Sequence, residues 1–259
     1  GLTVNAGRVV TLSSSGTFTN LQFSGNQTLG GGGSVVFGGT AGAFEQLTVN
    51  SGTLTVGSGV TIRGDQSATI SVTGTGLVNQ GLIVADTSGK SLTLSGAGVL
   101  VNTQSSGTTG TLRVTAGTLN LSGTGWKNTD GTTAGLLDVQ GGTLNLGGTF
   151  NSADFGTFQR GGSGTAGVVN LTGTMTNTGN TFTLDSGRGV FNVVNGAITG
   201  GTLSSSGGGQ LLVSSGTANQ FNGGVTLDTD LTLANGTTLT VSGGLLVNAG
   251  RVGTLSSSG

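Results

Sequence analysis

The chain has no cysteine, no proline, no histidine and no tyrosine, and only 7% of its 259 residues are charged. Without Cys there is no disulfide staple and no thiolate metal site. With His, Cys and Tyr all missing, the usual bases and nucleophiles shrink to Ser, Thr and scattered carboxylates. The lack of Pro means that no backbone N–H is deleted from a hydrogen-bonded ladder. A net charge of −1, with eight basic residues spread along the chain, gives no electrostatic footprint for nucleic acid or an anionic membrane. No apolar run approaches the ~18 residues of a spanning helix, and no signal-peptide pattern opens the sequence. Any targeting segment is expected to lie outside this stretch or to have been removed.

What fills the chain instead is Gly, at 56 positions, with Ser, Thr and Asn. The hydrophobic third is mostly Leu and Val in ordered pairs, which argues for a packed fold rather than disorder. The pairs repeat. "GTLRVTAGTLNLSGTG" (Gly110 to Gly125) returns 25 residues later as "GLLDVQGGTLNLGGTF" (Gly135 to Phe150), and "GVVNLTGTMT" (Gly167 to Thr176) follows after another 25. Each unit has two apolar-x-apolar triplets seven residues apart: Leu112/Val114 with Leu119/Leu121, then Leu137/Val139 with Leu144/Leu146. The same offset occurs at Leu47/Val49 and Leu54/Val56, with looser versions at Leu82/Val84 and Leu92/Leu94, and at Leu231/Leu233 and Leu239/Val241.

Such alternation is the period-2 signature of a strand with one buried face. Strands this short have no core of their own. Units of roughly 20–25 residues stacked on one another make a β-solenoid. The expected fold is therefore all-β: a parallel β-helix of about eleven coils at roughly 4.8 Å spacing, giving about 50 Å of rod. An antiparallel sandwich or a propeller also has regular turns. The 25-residue period is too short for a blade, however, and Asn-Gly and Asp-Gly hairpin turns are scarce.

A second, longer period frames the first. The chain opens with "GLTVNAGRVVTLSSSG" and ends with "GLLVNAGRVGTLSSSG", with 14 of 16 positions identical at a distance of 243 residues. No internal coil repeats Asn5–Ala6–Gly7–Arg8 except Asn248–Ala249–Gly250–Arg251. We read residues 1–259 as one continuous solenoid, with 1–243 as one long repeat unit and 244–259 as the start of the next. Neither end carries a capping helix or a Lys-studded edge strand, so end-to-end stacking is expected.

Chemistry finds little footing. The acids are Glu45, Asp65, Asp86, Asp130, Asp138, Asp154, Asp185, Asp228 and Asp230. Only Asp228 and Asp230 ("LDTDLT") are close in sequence, and they adjoin no basic residue there. They read as a solvated pair rather than a catalytic dyad or a weak Ca²⁺ site. The glycine runs Leu29–Ser34 and Gly200–Gly209 lack the Lys-Ser/Thr of a phosphate loop and read as corners or surface loops. No catalytic, cofactor-binding or metal-binding residue is assigned, and the chain is not expected to be an enzyme or to need a cofactor.

Three surface features remain. Asn120, Asn145 and Asn170 are spaced by 25 between inward residues and are expected to stack on an outer face, with Thr118 and Thr143 beside them. The T-x-T pairs Thr53/Thr55, Thr181/Thr183 and Thr238/Thr240 would suit a flat ice-binding face, but not at the coil period. "GTGWKNTDGTTAG" (Gly123 to Gly135) carries the single Trp and reads as a loop leaving the tube. There Trp126 and Lys127 would touch a glycan or a neighbouring rod, or else cover a tube corner. Phe150, Phe155 and Phe158 are expected to plug an irregular coil or a side loop.

"GTLTVGSGVTI", "GTLNLSGTG", "GTLNLGGTF" and "GLLVNAG" resemble the repeats of autotransporter passenger domains and of filamentous-haemagglutinin-like exoproteins. The likeness spans most of the chain as a pattern. It implies a right-handed parallel β-helix that is secreted or displayed on a bacterial surface. Together these readings lead to a structural segment of a long extracellular fibre that associates with itself, without nucleic acid and without inserting in a membrane. The alternative is an adhesin passenger that binds glycans or neighbouring cells through surface loops.

Overall fold

A computed structural model describes residues 1–40 and 45–256. Nearly every strand pairs with the strand one coil earlier and one coil later, in parallel. One sheet of eleven strands runs the length of the molecule, from Thr19–Phe23 to Gly253–Leu255. Between consecutive strands of this third face the chain visits two other faces. The first face comprises two five-stranded sheets joined by the bridges Val101↔Lys127 and Thr124↔Thr149. The second comprises a seven-stranded and then a four-stranded sheet. The result is the expected β-solenoid: about ten stacked coils, closed by an exposed last one.

The register explains the Leu/Val pattern. On the third face Leu21, Leu47, Ile70, Leu94, Leu121, Leu146, Leu171, Val193, Val213, Leu233 and Leu255 sit above one another, one per coil. Leu119 and Leu144 are direct partners in a neighbouring column, with Val169 next. All of these side chains but Leu255, which is exposed on the last coil, join one core that also takes in the inward residues of the other two faces. Stacking like on like suits the geometry. Adjacent strands lie about 4.8 Å apart, so in these columns each apolar residue packs on the apolar residue of the neighbouring coil.

Two sequence readings need adjustment. The seven-residue offset does not mark one corner. Leu112/Val114 to Leu119/Leu121 turns from the second face to the third, whereas Leu47/Val49 to Leu54/Val56 turns from the third to the first. In Leu82–Ala85 the inward residues are Ile83 and Ala85, not Leu82 and Val84, because Ile83 pairs with Ile62 and Leu112. The column above Thr19 also contains Glu45, which is fully buried; among the described residues neither of its carboxyl oxygens has a hydrogen-bond partner.

Glycine is required where the third face turns into the first. Gly123, Gly148 and Gly173 stack at this corner, and Gly148 has φ +59°. A Cβ on Gly148 would collide with the carbonyl oxygen of Gly123, and one on Gly173 with that of Gly148. A left-handed φ alone costs a non-glycine residue roughly 1–2 kcal/mol, before any collision. Gly148→Ala is thus expected to destabilise the chain by more than about 2 kcal/mol. Urea unfolding of the variant beside the parent checks this.

Candidate functional site

The structure places each charged group in turn. Arg63 donates from Nε to Asp86 and from Nη2 to Asp65, both at 2.6 Å. Arg113 bonds the buried Asp138 at 2.7 Å, Lys127 pairs with Asp154 at 3.3 Å, and Arg188 with Asp185 at 3.4 Å. Asp228, without a basic neighbour in sequence, gains one in space: Arg251 from the following coil reaches its Oδ1 at 3.0 Å. Asp230 accepts the backbone N–H of Val252 at 2.8 Å. The two aspartates therefore hold the next coil down. This is a mechanical use that competes with any catalytic or Ca²⁺ role for the same oxygens.

Among the described residues, Arg160 is the one cation turned inward, in register with the core residue Val139. Its Nε donates to Ala166 O and its Nη2 to Gly167 O, both at 2.6 Å; Nη1 donates to Val190 O at 2.9 Å and Arg188 O at 3.2 Å. Burial pushes the Arg160 guanidinium below its usual value. This side chain pins the residues that follow the short turn Gly161–Gly164 to the next coil, and nothing in the pattern of apolar pairs announced it.

The Asn ladder forms and is longer than expected. Asn145 Nδ2 donates to Asn120 Oδ1 at 2.7 Å and Asn170 Nδ2 to Asn145 Oδ1 at 2.9 Å. Asn120 continues the chain to Thr93 at 3.1 Å, and Asn192 joins at 3.3 Å from the other side. Thr118 and Thr143 pair beside it in the same register. A second ladder, unread in the sequence, is fully buried where the first face turns into the second. Asn79 Nδ2 donates to Asn102 Oδ1 at 2.7 Å, and Asn102 Nδ2 to Asn128 Oδ1 at 2.6 Å. Asn128 Nδ2 then reaches the carbonyls of Gly135, Phe155 and Thr157. The signal was available in "LVNQG", "LVNTQ" and "WKNTD", where each Asn follows an inward residue by two positions.

Trp126 is not a surface contact. It is 1% exposed, stacks on Phe150 with ring centroids 4.3 Å apart, and donates its indole N–H to Gly147 O at 2.9 Å. The residues around it continue the first face through the bridges at Thr124 and Lys127. Within this stretch residues 129–134 leave the tube, whereas Trp126 turns inward: of the two expectations it is nearer to covering a tube corner, and its ring is too buried to touch a glycan or a neighbouring rod. Phe155 sits between Trp126, Phe150, Phe158, Phe182 and Phe191, with centroid distances from 5.2 to 6.5 Å, and these rings fill the irregular coil as expected. The T-x-T pairs do not meet. Thr53/Thr55 and Thr238/Thr240 lie on separate stretches of the first face, and Thr181/Thr183 on the second.

Two excursions stand out from the coils: the antiparallel ribbon Gln104–Ser105 with Thr108–Thr109, and the loop 129–134. Asp130 organises the second. It accepts the backbone N–H groups of Thr133 and Thr132, at 2.7 and 2.8 Å, and the Thr103 hydroxyl at the foot of the first excursion, at 2.8 Å. The Thr133 N–H, then the Thr132 N–H, hold its carboxyl well below the usual aspartate range. The folded value is depressed, so this contribution is present above the unfolded value near 3.9 and is lost as pH falls through the lower, folded value. Carboxyl NMR is expected to find Asp130 still ionised at about pH 3, where an ordinary aspartate is mostly protonated.

The two ladders differ in what their loss exposes. Asn145→Ala removes outer bonds that water replaces, at roughly 0.5–1.5 kcal/mol each. Asn102→Ala takes the donor from the buried Asn128 Oδ1 and one acceptor from Asn79 Nδ2, and leaves a void, so a cost of about 3 kcal/mol or more is expected. Denaturant melts of the two variants should rank them in that order. Compared with known protein families, curated proteins and solved structures, the chain matches none.

Proposed function

We propose that the chain is a structural segment of a long exported bacterial surface or extracellular fibre, related in design to the passenger and exoprotein rods that its repeats resemble. The carrying observation is the continuous stack itself. One eleven-stranded sheet spans the molecule, its column from Leu21 to Leu255 is apolar from end to end, and the strands that begin the second copy of the terminal motif already lie on the stack as its last coil. The charged groups support this reading because they tie coil to coil rather than converge on a cleft. Arg63 to Asp86, Arg113 to Asp138 and Arg251 to Asp228 each join neighbouring coils.

The work of such a segment is mechanical. Backbone ladders give stiffness, buried Leu and Val give cohesion, and few charges leave few sites for chemistry. Self-association follows from the end of the stack, where Val241, Leu246, Val247, Val252 and Leu255 are exposed. Unpaired strand edges with apolar side chains favour stacking on a like edge. Electron microscopy of the purified chain is expected to show rods that lengthen with concentration, in steps of about 50 Å. Compact single particles of about that length at every concentration would remove the self-association.

A further inference from the structure

Residues 244–256 repeat residues 1–13 in sequence, but the two copies occupy different faces. Leu2–Val4 is the first-face strand of its coil, in register with Leu29–Gly31. Its counterpart 243 residues later, Leu245–Val247, is a second-face strand over Val225–Leu227. Val9–Ser14 lies on the second face, whereas its counterpart Gly253–Leu255 lies on the third, over Leu231–Leu233. The long period is therefore ten coils plus one face, not a whole number of coils.

Resting on the reading of the chain as a unit of a tandem rod, we infer that each unit is turned by about one-third of a revolution about the rod axis relative to the one before. The third face of one unit then runs into the face of the next that begins at its Val9–Ser14 strand. Faces two and one shift in the same sense, and every face returns to its place after three units.

Two observations identify the next unit as what covers the open end. The first is a matched pair of burials. Val4 and Leu12 are 3% and 4% exposed beneath the coil that follows them, while their counterparts Val247 and Leu255 are 43% and 81% exposed. The strands that bury the first pair are Gln27–Gly31 and Ser34–Gly39. The equivalent strands of a following unit would bury the second pair in the same way. The second is the polar clasp. Arg251 on Asp228 and the Val252 N–H on Asp230 join the second copy of the motif to the coil before it. Arg8 and Val9 hold the same places in the first copy and are exposed, and among the described residues no carboxylate pairs with Arg8. A preceding unit would supply its own Asp228 and Asp230 there.

The test uses the 259-residue chain extended by three further copies of residues 17–259, with the exposed Gln159→Cys in every unit. The native sequence has no cysteine, so a thiol-reactive gold particle marks one point per unit. Electron microscopy is expected to show one rod with labels about 50 Å apart along the axis, returning to the same side at every third unit. Labels in a straight line, or returning after any other number of units, would overturn the rotation and leave the rod intact. Separate bodies joined by bends would overturn both the rotation and the tandem-rod reading. Should gold disturb the rods, an unlabelled sample averaged for its axial rise and turn separates the same three outcomes.

Discussion

The structure depends on the parallel backbone ladder between coils. Once a strand lies in register on its predecessor, about 4.8 Å away, every side chain is committed to sit above the residue one coil earlier. Columns are then compulsory, and the only freedom left is which residue types fill them. Leucine and valine fill the inward ones. Asparagine fills two, one outside and one buried, because its amide both donates and accepts along the rod axis. Glycine fills the tight corner, where the approach of successive turns leaves no room for a Cβ. Proline would remove a rung wherever it fell, and the chain contains none.

How much of this was legible depends on how regular each column is in sequence. Leu119 over Leu144 and the ladder Asn120–Asn145–Asn170 were readable because three coils in a row keep one length, so equal spacing becomes equal height. Where coils change length the signal blurs. Asn79, Asn102 and Asn128 stand 23 and 26 residues apart and lie beside turn-forming residues, so a buried ladder passed for loop composition. Leu82–Ala85 is apolar at all four positions, and with no alternation the inward pair could not be told from the outward one. Trp126 sat within Gly, Thr and Asp, which suggested a loop throughout; two isolated bridges carry it back into the tube. Glu45 and Arg160 are polar residues in inward columns, and a hydrophobic pattern has no means of finding them.

The irregular centre and the regular flanks differ in what holds them. In the flanks, mostly aliphatic columns with single rings such as Phe37 and Phe221 suffice. Between residues 103 and 181 the first and second faces each break into two sheets, a ribbon and a loop leave the tube, and the short turn Gly161–Gly164 interrupts the path to the third face. There the packing passes to larger groups: the rings around Phe155, the Arg188 guanidinium over Phe155 and Phe182, and Arg160 with its four carbonyl acceptors. Aromatic area and a charge-assisted hydrogen-bond set replace the matched aliphatics that a changed coil length no longer brings together.

The ladder bonds run parallel to the rod axis, which decides how the molecule would meet a pull on its two ends. Tension along the axis loads the rungs one row at a time, as in opening a zipper, rather than shearing many rows together. A coil at an open edge lets go first and hands the load to the coil beneath it. Each released turn of roughly 20–25 residues lengthens the chain by on the order of 75 Å, so a thread of this kind would yield by spooling out and absorb work without snapping.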